Sequence, residues 1–347
     1  MNGDQTEDRS RGVKFGLWYD FRNPPQWRRP YDTLYSEILD QIVWAEDRGF
    51  DYVWLSEHHF SEDGYSPSMF PIAAAIGART NKIRIGTSLV LLPLHHPVRI
   101  AEDGATVDVI SGGRFELGAG IGYRVEEFAA FGIPVSERGG RTSESLEIIR
   151  RLWEGETLTF KGRYYNIEGA RVTPEPIQKP RPPLWAGGFT PPGIKRAARL
   201  ADGYAGIAPN STQPSYELFM SEWQRLGKPV EEKRTAGGLF WLIPSRDPDK
   251  TWTEAADHVI HQVNVYREWT EKAGETMFPK LESHADLRET GMLQVVEVDE
   301  CIETIRDYVN EMGLTHYYSW TLPPGLPASW AQPHLELFAE HVIPAFR

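Results

Sequence analysis

Along nearly the whole chain, short apolar runs of strand length alternate with stripes of helical spacing, and this alternation narrows the choice of fold more than any single motif. VKFGLWYD (13–20) reads as a first strand. Leu34, Tyr35, Ile38, Leu39, Ile42 and Ala45 then form a helical stripe that Gly49 closes, and DYVWLSE (51–57) is strand two. Residues 68–78 are Ala-rich and predict a helix, followed by strand three, KIRIGTSLVLL (82–92). Pro97 opens a helix whose apolar positions are Val98, Ala101, Ala105 and Val109, and RFELGA (114–119) is strand four.

The rhythm breaks over 121–182, with a glycine-rich loop, a helix near 141–153, a hairpin (TLTFKGRYYNI) and a proline-rich link (PEPIQKPRPP). It returns with PLWAG (183–187), a helix near 191–201, DGYAGIA (202–208), a helix near 214–226 and GGLFWLIP (237–244) as strand seven. Residues 245–297 are irregular, and a helix over 299–312, the strand LTHYYSWT (314–321) and a helix near 331–343 complete the series. Eight strand–helix pairs fit an α/β fold of the (β/α)8 TIM-barrel type, with insertions after strands four and seven; a doubly wound sheet is the rival. The proline-rich link lies inside the series, so 13–347 is expected to be a single domain. The polar stretch 1–12 lacks an apolar segment and is expected to be a disordered N-terminal tail.

A formal net charge of −12 opposes phosphate backbones and anionic lipid surfaces, so neither nucleic acid nor a membrane is an expected partner. The single cysteine, Cys301, excludes an intrachain disulfide and a thiolate metal cage. A cytoplasmic location is the expectation.

In a parallel barrel the active site is built at the C-terminal ends of the strands, and unusual residues fall there. Strand two runs out in Glu57, His58 and His59. Side-chain parity puts Trp54, Ser56 and His58 on one face and Val53, Leu55, Glu57 and His59 on the other. The pair is either a hydrogen-bonded structural detail or the edge of a working surface. Adjacent strand residues diverge, so His58 and His59 are poorly placed to share an ion, and His95 and His96 read as a loop leading into a helix. GAGIG (118–122) fails as a dinucleotide fingerprint, because position 123 is Tyr and no acidic strand end follows about 20 residues on. Its glycines permit close approach of a flat ligand or of backbone. AGGFTPPGIKRAARLADG has glycines, a hydroxyl and a free helix start, which together suit an anion; an ordinary strand–helix turn is the alternative. The aromatic residues after strand one (Trp18, Tyr19, Phe21, Trp27, Tyr31) suit either a pocket wall or the core.

Four segments carry a resemblance to a known family: GFDYVWLSEHHFSEDG, the stretch KIRIGTSLVLLPLHHPVRIAEDGATVDVISGGRFELGAGIGYRVEEFAAFG, RPPLWAGGFTPPGIKRAARLADGYAG and LELFAEHVIPAF. The chain resembles the bacterial luciferase-like flavin-dependent monooxygenases over nearly all of 13–347. The resemblance implies a (β/α)8 barrel that binds FMN, or a deazaflavin in a sister branch, at its C-terminal mouth. It implies a catalytic role for His58, a non-prolyl cis peptide at Ser88–Leu89, and a phosphate-holding segment with Gly188, Phe189, Thr190 and Gly193. Two positions depart from the luciferase pattern. Gly120 stands where a reactive cysteine is found, and Ile121 stands where an arginine contacts the phosphate, Arg124 being the nearest substitute. By this resemblance a separate flavin reductase supplies reduced FMN, dioxygen is co-substrate, and the organic substrate is small and apolar. A homodimer is implied as well. The other implied readings are a deazaflavin-dependent dehydrogenase or reductase and a catalytically silent flavin-binding partner subunit.

Overall fold

Eight parallel strands close on themselves in the computed structural model, which describes residues 10–207 and 213–347. They are Lys14–Tyr19, Tyr52–Leu55, Arg84–Thr87, Phe115–Gly120, Leu184–Ala186, Gly203–Ile207, Arg234–Gly237 and His316–Trp320. Each pairs with its neighbour in chain order, the last returns to the first, and strands three and four complete the ring. This is the TIM barrel expected from the alternation. Residue 208, the end of the expected sixth strand, and residues 1–9 of the expected tail lie outside the described residues. Ser10–Gly12 form a turn in which the Gly12 N–H donates to the Phe346 carbonyl at 2.8 Å.

Strand parity sorts the core. Phe15, Leu17, Val53, Leu55, Ile85, Phe115 and Leu117 point outward and pack with Leu34, Ile38 and Ile42 of the helix Tyr31–Glu46 and with the other barrel helices. Burying such side chains stabilises by about 1.5–3 kcal/mol each. Trp18, Tyr52, Trp54 and Trp185 point inward and fill the barrel. These large rings need glycine opposite them. A Cβ on Gly16, Gly86 or Gly203 would come within 2.1, 2.6 and 2.3 Å of the Tyr52, Trp54 and Trp185 rings. The interior is therefore a packed aromatic column whose upper end meets the mouth.

The structure corrects two expectations in the second half. Strand seven of the barrel is Arg234–Gly237, not 237–244; Trp241–Pro244 instead pairs with Leu293–Val296 in a separate two-stranded parallel sheet. The stretch expected to be irregular from 245 contains the helix Pro248–Lys272, started by the Asp247 side chain accepting the Lys250 N–H and by Pro248 at the first helical position. Trp252, Ala255, Ala256, Val259 and Val263 of that helix form a second core with Trp241, Ile243 and Leu287. Between strands four and five lie the helices Val125–Ala130 and Arg138–Trp153 and the hairpin Leu158–Lys161/Asn166–Ala170. Among the described residues no helix is long and apolar enough to cross a membrane.

Candidate active site

Strand two ends at Leu55, and the chain leaves the barrel with the Ser56 N–H on the Tyr19 carbonyl and the His58 N–H on the Ser66 carbonyl. Phe21 and Phe60, at the exits of strands one and two, adopt the left-handed backbone region (φ 59° and 56°), which bulky residues adopt only under local constraint. His58 continues the inward parity of Trp54 and lies at the mouth. Its ring sits 4.8 Å from Tyr65, 5.3 Å from Tyr123 and 4.8 Å from Trp269, centroid to centroid.

The fully buried carboxylate of Glu127 fixes this imidazole. Its Oε1 accepts from His58 Nδ1 at 2.9 Å and from the His59 backbone N–H at 2.8 Å. With Nδ1–H so engaged, Nε2 presents its lone pair toward the Tyr123 hydroxyl at 3.3 Å. Burial pushes His58 below the ordinary histidine value; Glu127 opposes that shift, and Arg124 and Arg22 add to it. The imidazole is neutral at neutral pH and able to take up a proton. Arg124 donates to the His59 carbonyl, contacts Glu127 at 3.4 Å and lies over the Trp269 ring at 4.1 Å. Its guanidinium thus belongs to the histidine cluster.

His59 diverges from His58, as parity requires, and joins a second cluster. Glu57 Oε1 accepts from Nε2 of His59 at 3.0 Å and from Nε2 of His95 at 2.7 Å, while Oε2 accepts the Leu91 N–H at 2.6 Å. Burial alone would raise this carboxyl, but the hydrogen bonds from His59 and His95 prevail and hold it at about 2. Glu57, His59 and His95 offer three ligand atoms within 4.8 Å of one another. In this geometry the Glu57 carboxylate accepts from both imidazoles and ties His59 and His95 together. His95 precedes the helix Pro97–Ile110, as expected, and also ties that loop to strand two.

The other expected residues lie at the exits of strands three, four and five. The Ser88–Leu89 peptide is cis, and the Leu89 side chain lies against Gly118, Gly120 and Gly187. The Gly187 N–H continues the sheet to the Ala119 carbonyl. The N–H groups of Gly188, Phe189 and Thr190 then donate to no partner among the described residues. Gly188 and Gly193 are in backbone contact, where a Cβ on Gly188 would come within 3.0 Å of the Gly193 Cα. Thr190 is the N-cap of the helix Pro191–Leu200, yet its hydroxyl caps nothing, and Phe189 is 55% exposed. Free N–H groups, a free hydroxyl and a helix N-terminus together fit a phosphate. Alongside this turn a cavity of about 410 Å³ is lined by Pro192, Lys195, Arg196, Arg199 and Arg225, with Glu222 the one acid.

Residues at long sequence separation complete the enclosure. Tyr65, Tyr123, Tyr266 and Trp269 wall His58, and Phe278 stacks on Tyr266 at 5.4 Å. Tyr266 and Trp269 lie on the helix that the sequence reading left irregular. Of the aromatic residues after strand one, Trp18 enters the barrel interior, Phe21 is in the core, Trp27 packs on His258, and Tyr31 is exposed.

A parallel barrel with an enclosed imidazole at the exit of strand two, and a glycine-rich turn at the exit of strand five, has the architecture of an enzyme with its site at the C-terminal ends of the strands. The description of luciferase-like monooxygenases matches residues 13–316, and the chain belongs to that family of oxidoreductases. It is 39% identical over 333 residues to an F420-dependent glucose-6-phosphate dehydrogenase of Microbacterium testaceum, covering 90% of this chain and 94% of that one. It is 30% identical over 329 residues to a 4-hydroxyprotoasukamycin monooxygenase of Streptomyces nodosus subsp. asukaensis, covering 89% and 86%. The fold matches that of the monooxygenase RslO1 of Streptomyces bottropensis with a TM-score of 0.84 at 24% identity, over 96% of this chain and 100% of that one.

Proposed function

We propose that this protein is the oxygenase of a two-component flavin monooxygenase, using FMN reduced by a separate reductase and dioxygen to oxidise a small organic substrate. The observation that carries this reading is the His58 enclosure: a neutral imidazole, buried and aromatic-walled, on the same end of the barrel as a turn whose N–H groups have no partner among the described residues. Gly188, Phe189, Thr190 and Gly193 would hold the phosphate, and Ser88, Leu89 and Gly120 would line the ring. When bound, reduced FMN supplies the electrons and the reaction with dioxygen. His58 Nε2 takes or returns the proton of the reacting oxygen, with Glu127 holding the ring's orientation. The aromatic walls exclude water, which protects a reactive oxygen species from loss. A homodimer accompanies this reading.

The second reading, a deazaflavin-dependent dehydrogenase, draws on the 39% identical relative. A sugar-phosphate substrate suits this mouth poorly. Arg22 is flanked by Asp20 and Asp63, and Arg124 by Glu127, so no free cation faces His58 from those positions. Stopped-flow mixing of oxygen with the protein loaded with reduced FMN tests the choice. Return of oxidised-flavin absorbance should be much slower than for free reduced FMN. Return as fast as in free solution, with tighter binding of reduced F420 than of reduced FMN, would favour the dehydrogenase and end the oxygenase reading.

A further inference from the structure

Arg22 lies just past strand one, and its side chain is fully buried. Tyr65, Tyr266 and Trp269 surround the guanidinium, with ring centroids 4.7, 4.6 and 5.3 Å from its central carbon. The same three rings contact His58. Asp20 and Asp63 come nearest to its Nε, at 3.5 and 3.3 Å. Nε, Nη1 and Nη2 all lack a hydrogen-bond acceptor among the described residues. Arginine has five N–H donors, and buried donors in folded proteins are nearly always paired. Aromatic faces stabilise the charge but accept no such bond comparable to that of an oxygen. The Nη groups of this guanidinium therefore keep donors to offer an oxygen.

Charge decides which kind of oxygen. Two guanidinium groups, Arg22 and Arg124, stand with three carboxylates, Asp20, Asp63 and Glu127. An anionic ligand would enter a cluster that already carries an excess of negative charge, and its desolvation would go uncompensated. A neutral acceptor meets the N–H edge without that cost. Phe278 is half-buried in the coil after the helix Pro248–Lys272 and stacks on Tyr266, and its ring is held by no hydrogen bond, so it can yield to a ligand without breaking a helix or strand.

We infer that Arg22 is a specificity-determining residue of the His58 site, whose Nη groups take a neutral carbonyl oxygen on a planar, ring-bearing substrate and discriminate against carboxylates. This deepens the oxygenase reading and rests on His58 marking the substrate site. The test is calorimetric binding of three probes of similar size, 2-acetylnaphthalene, 2-ethylnaphthalene and 2-naphthoate, to the FMN-loaded protein and again without flavin. The ketone should bind at least about tenfold tighter than the hydrocarbon, the scale of one hydrogen bond to a charged group, and tighter than the carboxylate. Arg22→Lys keeps a cation for Asp20 and Asp63 but loses the Nη edge, and should abolish the preference for ketone over hydrocarbon. Equal binding of ketone and hydrocarbon by the unaltered protein would overturn the inference. So would tightest binding of the naphthoate, or a ketone preference that survives in Arg22→Lys. If the lysine variant does not fold, the three probes on the unaltered protein decide alone. Fast flavin reoxidation with an intact ketone preference would sink the oxygenase reading and leave this one standing.

Discussion

Oε1 of Glu127 lies 2.9 Å from Nδ1 of His58, and the same atom holds the backbone N–H of the next residue, so one buried carboxylate sets both the position and the tautomer of the imidazole. Glu127 raises the affinity of His58 for a proton against the effects of burial and two arginines. Glu127→Gln keeps the shape and removes the charge. Its His58 should titrate at lower pH than in the unaltered protein, read directly by NMR of the imidazole. The variant should also lose about 1–3 kcal/mol of stability, because Arg124 loses a buried partner. An unchanged His58 titration would show that the carboxylate does not act on the ring.

His58→Ala and His59→Ala should fail in different ways. His58→Ala should lower turnover by about 10²-fold or more, the scale of lost proton transfer, with a nearly unchanged melting temperature. His59 donates to Glu57 and only its backbone touches Glu127. His59→Ala should therefore cost less turnover but destabilise by about 1–3 kcal/mol, since it removes one of the hydrogen bonds to the buried Glu57 carboxylate. Melting curves and rates together check both, and a reversed ranking would refute the assignment of roles.

The depressed His58 pKa gives turnover a defined pH dependence. Neutral His58 is the working form, so activity should be flat near neutrality and fall only on the acid side, at a pH below the ordinary value of about 6.5. A midpoint above that value in the pH–rate profile would rule out His58 as the titrating base.

Glu57 contributes to the acid limb of stability, as does Asp63, whose carboxyl Arg22 holds well below the ordinary range against the effect of burial. The Glu57 carboxyl titrates at about 2 in the folded protein against 4.5 ordinarily. A group with a depressed folded pKa contributes stability that is present above its unfolded pKa and lost as pH falls toward the folded value. Urea unfolding should therefore show stability dropping between about pH 4.5 and about pH 2, beyond what exposed carboxylates cause. Glu57→Gln should be less stable at neutral pH and flatter across this window. A slope identical to that of the unaltered protein would remove Glu57 as a contributor.

The barrel and half of the candidate site are legible in the sequence because they rest on local rules. Parity alone separated Val53 and Leu55, which pack on helices, from Trp54 and His58, which follow the interior, and glycines, a hydroxyl and a helix start marked the turn at 187–193. What stayed hidden depends on distance in sequence. Glu127 reads as an acid in a short surface helix, and only the fold brings it across to His58. His95 reads as a loop residue until the third strand's exit sets it on Glu57. The helix Pro248–Lys272 was available in principle: Asp247 and Pro248 are a helix start, and Trp252, Ala255, Ala256, Val259, Val263 and Tyr266 keep its spacing. Reading 237–244 as one continuous strand concealed it, because the barrel strand ends at Gly237 and the apolar Trp241–Pro244 serves the second sheet.

The turn at Thr190 allows the flavin phosphate to be tested apart from the flavin ring. Three consecutive N–H groups and one hydroxyl there have no partner among the described residues, and they stand at the positive end of the helix Pro191–Leu200. Lys195 and Arg196 follow within its first turns and add to the favourable potential. FMN carries the phosphate and riboflavin does not, while the ring system is the same. Thr190→Ala removes one hydrogen bond to a charged group and leaves the backbone donors in place. FMN affinity should fall by on the order of 1–2 kcal/mol, and riboflavin affinity should barely change. The loss in FMN affinity should shrink as salt is raised, because screening weakens the contribution of an exposed charge. Titration of both flavins by fluorescence quenching measures the two effects side by side. Equal losses would place the phosphate elsewhere and detach this turn from the site.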